Sequence, residues 1–228
     1  MALSGHGPVS TVPAVDTAGV GSGSDTWVRI GERLSRPSLS QTGMTAVDNL
    51  WYLADQARQQ AEQTRHQFAS NYEDYSTFSR HRSVSRPRFK TVAERTRDNG
   101  LPYGVHTVVT NDAGEVLLVR HDDVDMWVLP GGQVDGTESF REAASRELRE
   151  EAGIEATDEG LAILARAEFH CAEYDTWGVL PMFHGRAVET ELTVDDPDGE
   201  ISDAGWFDEL PEDTRDREQL REWREKQA

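Results

Sequence analysis

Nine residues between Gly132 and Ile154 form a pattern that chemistry can use: Gly132, Glu138, Arg146, Glu147, Leu148, Glu150, Glu151, Gly153 and Ile154. At about 100° per residue along a helix, Glu147 and Glu151 stand about 40° apart, and Glu150 stands about 60° to the other side of Glu147. Three carboxylates therefore share one face. Without a cation they repel one another and raise their own pKa values. Hard oxygen donors of this kind suit Mg²⁺ or Mn²⁺, and magnesium readily shares its coordination with substrate phosphates. Glu147, Glu150 and Glu151 are thus candidate metal ligands. Arg146, about 40° from Glu150, can pair with it or orient a neighbouring acid. The bland alternative is a solvated face of ordinary ion pairs, such as Glu142 with Arg146.

Such acids need a rigid support. Phe140, Ala144, Leu148 and Ala152 recur every four residues, a stripe that predicts a helix over roughly 138–152 anchored on a sheet, with Gly153 as its stop. Glu138 falls near the helix start, where the macrodipole favours an anion, and its expected role is structural. Pro130-Gly131-Gly132 lets backbone approach a metal or a phosphate closely, because glycine has no Cβ in the way.

Read as G-x5-E-x7-R-E-L-x-E-E-x-G-I, the segment resembles the Nudix box at every defining position. Trp127 to Gly132 resembles the strand and loop that enter the box, and Glu200-Ile201, Trp206-Phe207 and Leu210-Pro211 resemble the segment that closes the domain. The likeness covers about residues 100 to 215. It implies an α/β (α+β) fold, an α/β/α sandwich with a mixed sheet, and metal-assisted hydrolysis of a diphosphate linkage in a nucleotide-like substrate. By the same resemblance a carbonyl of Gly131 or Gly132 is a metal ligand, Glu150 and Glu151 are ligands, and Glu147 is a ligand or the general base. Glu200 and Asp203 are downstream candidates for that base; exposed loop acids are the simpler reading of both. Two narrower likenesses fail. Phe169-His170-Cys171 stands where ADP-ribose hydrolases have a proline, and Tyr174 does not match the tyrosine spacing of dinucleoside-polyphosphate hydrolases. Two alternatives stay open: a nucleotide-sensing module without turnover, acting through its amino-terminal extension, and an isoprenoid diphosphate isomerase, which would need a placed cysteine.

Outside the box, residues 1–43 are rich in Gly, Ser, Thr and Pro without periodicity and are expected to be disordered, with Trp27 to Ile30 as a short strand or docking patch. From Thr45, an amino cap with Asp48, the spacing of Val47, Leu50, Ala54, Ala57, Ala61 and Phe68 beside Trp51 predicts an amphipathic helix, packed on its own domain or serving as lid or dimer contact. The organisation expected is a helical extension with a basic end over 44–98 and a catalytic domain over 99–228. Between Arg80 and Arg97 seven basic residues face Glu94 alone. This cluster of Arg80, Arg82, Arg86, Arg88, Lys90, Arg95 and Arg97 could hold substrate phosphates near the active site, with Arg86 and Arg88 as the candidate contacts, since guanidinium forks hold phosphate oxygens; neutralising the acidic body of its own protein or of a partner subunit is the competing reading. Strands are expected over 103–110, 115–120, 126–129, 161–171 and 176–188, and a terminal helix over 211–226. Tyr174 and Trp177 are candidates to stack on a base, with strand packing as the alternative.

The net charge of −19, from 42 acidic and 23 basic residues, argues against general affinity for DNA or anionic membranes. Only Lys90 and Lys226 are lysines, an Arg-over-Lys, acid-rich balance resembling that of proteins adapted to high salt. Cys171 is the single cysteine, which excludes an intrachain disulfide and fits a reducing, cytoplasmic setting. No apolar run approaches the ~20 residues of a membrane span. The partners expected are the small-molecule substrate and, in one reading, a second copy of the chain.

Overall fold

The computed structural model describes residues 46–227. Expectations for residues 1–43, and for Val47 and the Thr45 and Asp48 cap, lie outside the described side chains. The elements run α1 (Ala46–Asn71), β1 (Ser76–Ser83), α2 (Arg86–Asn99), β2 (Val105–Thr110), β3 (Val116–His121), β4 (Met126–Val128), β5 (Gly131–Gly132), α3 (Phe140–Ala152), β6 (Ala156–Cys171), β7 (Tyr174–Ala187), β8 (Ile201–Phe207) and α4 (Arg217–Gln227). One sheet orders the strands β1-β6-β7-β2-β3-β4, with β5 added to β2 and β8 to β3. The β1–β6 and β2–β7 pairings are parallel and the others antiparallel, so the sheet is mixed.

Strand alternation sorts the core into layers. On β7, Val179 and Phe183 meet Ala143 and Ala144 of α3 and Ala61 and Phe68 of α1. Leu180 and Met182, of opposite parity, meet Leu220 and Trp223 of α4. Helices thus cover both faces, the α/β/α arrangement expected. Helix α1 buries Leu50, Leu53, Ala54, Ala57, Ala61 and Phe68 against α2 and the β6–β7 hairpin, while Trp51 on its far side is 61% exposed. It is packed on its own domain. Among the described residues no helix is long and apolar enough to cross a membrane.

Several boundaries differ from expectation. The segment 44–98 is not wholly helical: β1 lies between its two helices and pairs with β6 from Ser76↔Ile163 to Ser83↔His170. Apart from Phe78, Ser76–Ser83 has no apolar alternation, so the strand is imposed by its neighbour and not by its own pattern. The strands expected over 161–171 and 176–188 form one longer hairpin, turned at Ala172 with a φ of 52°. Helix α3 starts at Phe140 because Ser139 is its N-cap. The terminal helix starts at Arg217, since Pro211 to Thr214 close a turn of their own, Thr214 N donating to Pro211 O at 3.1 Å.

Candidate active site

Helix α3 begins in a capping box: Ser139 Oγ accepts from Glu142 N at 3.2 Å, and the Glu142 carboxylate accepts from Ser139 N at 2.7 Å. Glu142 is therefore occupied and is not the partner of Arg146. At the other end Gly153 takes a φ of 70° and returns its N–H to Arg149 O at 3.0 Å. Ala143, Ala144, Leu148 and Ala152 are buried, so the helix is fixed at both caps and along one stripe.

Arg146 is the hub of the acidic face. Its fork holds Glu138 at 2.7 and 3.2 Å and donates to Gln133 O at 2.8 Å, while Nη1 reaches Glu147 at 2.9 Å and Glu150 at 3.1 Å. Glu138 also accepts Asp135 N at 2.6 Å. Its structural role is thus to clamp Arg146 and the loop, more than to meet the helix dipole. The hydrogen bond from Arg146 holds the Glu138 carboxyl below the usual carboxylate range, and the bond to Glu138 raises the Arg146 guanidinium.

Gly131 N donates to Glu151 Oε2 at 2.7 Å, seating the last of the three acids against the loop. Gly131 has a φ of 151°, and a Cβ there would lie 2.2 Å from Val105 O. At Gly132 a Cβ would lie 2.3 Å from Glu147 Oε1. Gly131 needs glycine because backbone presses directly on it, whereas at Gly132 a Cβ would have to displace the Glu147 carboxylate. Burial pushes Glu147 up to about 7, against the pull of Arg146. Burial, with the charges of Glu147, Asp196 and Glu200, pushes Glu151 well above its ordinary value despite the Gly131 amide.

These residues border a cavity of about 360 Å³. Glu147, Glu151, Arg146, Gly131 and Gly132 line it, and Glu200, Asp196 and Asp198 join them from the loop before β8. Glu200 is pushed up to about 7 by burial and by Asp123, Asp198, Asp196 and Glu147. It is not an exposed loop acid. Asp196 fixes the loop by accepting Glu200 N at 2.6 Å and Ile201 N at 2.8 Å. Asp203 is an exposed residue of β8 facing Arg120 in the register, and it does not line the cavity.

The expectation that Glu147, Glu150 and Glu151 converge needs correction. Among the described residues no three Asp, Glu, His or Cys side chains stand close enough to cage a cation. Glu147 and Glu150 share one Arg146 nitrogen, Glu151 is turned to Gly131, and Glu150 does not line the cavity. The donor chemistry still fits a hard divalent cation: the cavity's oxygen donors are carboxylates whose protons are retained through burial and mutual repulsion, the condition that a cation relieves.

The substrate contacts expected at Arg86, Arg88, Tyr174 and Trp177 are also displaced. Tyr174 is buried beside Phe89 with Arg86 over its ring at 5.3 Å. Trp177 is core beneath α1 and α3, with Arg166 over its ring at 3.9 Å, and it borders a separate cavity. Arg88 lies over Tyr103 at 5.6 Å, and Tyr103 does line the main cavity. Helices cover both faces of β7, so Tyr174 and Trp177, of opposite parity, are both turned to core. Of the basic run that the sequence offered for substrate phosphates, Arg80, Arg82 and Arg95 line the main cavity and Arg86 and Arg88 do not; the lining residues that sequence reasoning passed over are His106, His121 and Arg215. Cys171, the thiol an isomerase would need, ends β6 against the cluster beneath α1 and α2, away from the cavity.

Comparison with known proteins agrees with the box. A sequence model described as the NUDIX domain matches residues 100–226. A Bacillus subtilis (strain 168) protein named as a candidate 8-oxo-dGTP diphosphatase is 36% identical over 89 residues, 39% of this chain and 60% of its own. An RNA pyrophosphohydrolase of Ectopseudomonas mendocina (strain ymp) is 42% identical over 60 residues, 26% of this chain and 38% of its own. The chain thus spans less than two thirds of either relative. The crystal structure of a MutT NUDIX hydrolase from Burkholderia pseudomallei aligns at 28% identity and a TM-score of 0.41, over 55% of this chain and 96% of that one.

Proposed function

This chain belongs to the NUDIX domain family, and from that premise and the shape of the cavity we propose that it hydrolyses a phosphoric anhydride bond in a nucleotide-like diphosphate with the help of Mg²⁺. The observation that carries the reading is the meeting of Glu147, Glu151 and Glu200 in one cavity, against the Gly131-Gly132 backbone and beside the fork of Arg146.

Glu147 and Glu151 would hold the cation with a carbonyl of Gly131 or Gly132, and Glu150 would join them on leaving Arg146. Bound there, the cation would neutralise the diphosphate and polarise its phosphoryl oxygens. Arg146, fixed by Glu138, orients the two acids it touches and keeps the loop carbonyl of Gln133 in place. Glu200 suits the general base by its place: it lines the cavity with Glu147 and Glu151, where an oxygen of Glu200 can accept the proton of a water attacking phosphorus. Its neighbour His121, Nε2 3.5 Å from Glu200 Oε2, is kept from protonation first by burial and then by Arg215, so it does not compete as a cation.

The test is phosphate release from a panel of nucleoside diphosphate derivatives, 8-oxo-dGTP and 5′-triphosphorylated RNA, with Mg²⁺ or Mn²⁺. Turnover of at least one, lost in EDTA, is expected. Binding without turnover across the panel would instead favour a nucleotide-sensing module.

A further inference from the structure

Glu200 reaches the cavity on a segment, residues 189–200, that forms neither helix nor strand and yet is firmly held. Thr193 N donates to Ala152 O and Asp195 N to Glu150 O, each at 3.0 Å. Those carbonyls are among the last four of α3, which have no partner within the helix. Leu192 and Val194, alternating with the two donors, pack on the cluster that holds Leu148, Ala152 and Ile154. Gly153 permits the approach, since a Cβ there would lie 2.6 Å from Thr193 O. The segment therefore rests on the carboxyl end of the helix that carries Glu147 and Glu151. Asp196 passes this placement on to Glu200. Its Oδ2 accepts from Glu200 N at 2.6 Å and from Ile201 N at 2.8 Å, while Oδ1 accepts from Asp198 N at 3.0 Å. From the other side Asp122 N donates to Glu200 O at 2.8 Å. The peptide between Glu200 and Ile201 is thus pinned at both its carbonyl and its amide, and the bonds to the carboxylate are of the charge-assisted, stronger kind. Only the side-chain torsions of Glu200 are left, and that side chain is 18% exposed.

We infer that Asp196 is a positioning residue for the hydrolysis: its carboxylate fixes the backbone from which Glu200 meets the attacking water, so that α3 carries the metal-binding acids and also, through the segment resting on it, sets where the base stands. This rests on the reading of Glu200 as the base given above. Asp196 itself lines the cavity, so direct contact with the cation is the rival role. The two roles differ in what an uncharged side chain would do. A metal ligand needs the carboxylate, whereas a residue that holds two amides needs only one acceptor oxygen aimed at them. Asp196→Asn keeps such an oxygen for the place of Oδ2 and gives up the bond to Asp198 N, which is on an exposed residue. Asp196→Ala keeps none.

The test uses the full chain, the best substrate of the panel and Mg²⁺. A group about 1 Å out of place costs roughly a hundredfold in rate, so kcat in Asp196→Ala should fall about a hundredfold with KM within threefold of the original. Asp196→Asn should stay within about tenfold. In a Glu200→Ala background the further change to Asp196→Ala should cost less than about threefold, because no base is left to misplace. Amide hydrogen exchange without substrate should quicken in Asp196→Ala over residues 198–201 and not in α3. Independent losses that multiply in the double variant would overturn the inference. Asp196→Asn as slow as Asp196→Ala, with a raised Mg²⁺ requirement, would overturn it in favour of a metal ligand. Unchanged exchange over 198–201 would also overturn it, as would quickened exchange spreading through α3, which would make Asp196 a residue of general stability. Failure of the reading beneath it looks different: no turnover by the original chain would remove the hydrolase, and a Glu200→Ala variant of unaltered rate would remove the base and the role of Asp196 with it. Turnover that Glu200→Ala impairs and Asp196→Ala does not would sink the positioning role alone.

Discussion

Replacing Gly132 by alanine isolates one contact of the candidate site. The new Cβ would lie 2.3 Å from Glu147 Oε1 and 2.5 Å from its carboxyl carbon. An ordinary carbon–oxygen contact begins near ~3.3 Å, so the carboxylate must retreat by about 1 Å. It cannot do so freely, because the side chain is only 14% exposed and accepts from Arg146 at 2.9 Å. Losing that charge-assisted hydrogen bond costs about 1.5–3 kcal/mol, an upper bound on the loss of stability. The effect on rate is larger in proportion: a displacement of about 1 Å at a reacting centre costs roughly a hundredfold. Gly114→Ala is the control, since nothing lies within 4 Å of its Cβ position and its φ of 79° confines the penalty to local backbone strain. Steady-state kinetics on the best substrate of the panel, with thermal unfolding in parallel, should show kcat/KM down about a hundredfold in G132A and within twofold of the original in G114A. Folded G132A with rates within threefold of the original would refute the placement of Glu147 at the reacting centre.

Three other outcomes are expected. Glu151→Gln keeps an acceptor for Gly131 N, so the fold should hold while turnover falls at least a hundredfold; unaltered rates would defeat the ligand assignment, and Glu150→Gln tests in the same assay whether the acid outside the cavity is also needed. His106 is held at about 3, first by burial and then by Arg80 and Arg215, against an ordinary value of 6.5. Below 6.5 the unfolded chain takes up a proton that the folded one refuses, so stability should fall with pH from 6.5 toward 3, by up to about 1.4 kcal/mol per unit; His106→Asn should flatten that slope in denaturant titrations, and an unchanged slope would remove His106 as its source. If the acid-rich, lysine-poor surface is an adaptation to salt, the melting temperature should rise as KCl approaches molar concentration, and a flat response would dismiss the idea.

What the sequence made legible was local. The capped helix, its buried stripe and its row of acids depend on neighbours within one or two turns, so spacing together with the family resemblance singled out Glu147, Glu151 and the Gly131-Gly132 loop, which line one cavity. The basic run was legible as a candidate for phosphates, but which of its members reach the cavity was not, because pairing across the chain decides it: Arg80 meets Asp216, 136 residues away, only once β1 has joined β6. Arg86 and Arg88 looked equivalent to Arg80 and Arg82 as members of one basic run, yet a helix starts between the two pairs and redirects them onto Tyr174 and Tyr103. Tyr174 and Trp177 misled for a related reason. An aromatic in a strand can face a ligand or the core, and one sequence without its partner strands does not fix which. Spacing did offer Arg146 as the partner of Glu150, and the two meet at 3.1 Å; what periodicity could not give is that this pairing leaves Glu150 outside the cavity that Glu151 lines.

The attachment of β1 bears on how this protein can be divided. A chain begun at residue 100 would keep everything the family likeness spans, yet it would strip eight residues from the rim of the sheet and leave the carbonyls and amides of β6 bare along that length. Bare rims recruit other strands, so such a fragment should clump on purification, and whatever remained in solution would lack Arg80, Arg82 and Arg95 from the lining of the cavity. The first described third of the molecule is therefore not an appendage that can be trimmed for convenience; the catalytic unit begins before the point at which its ancestry becomes recognisable.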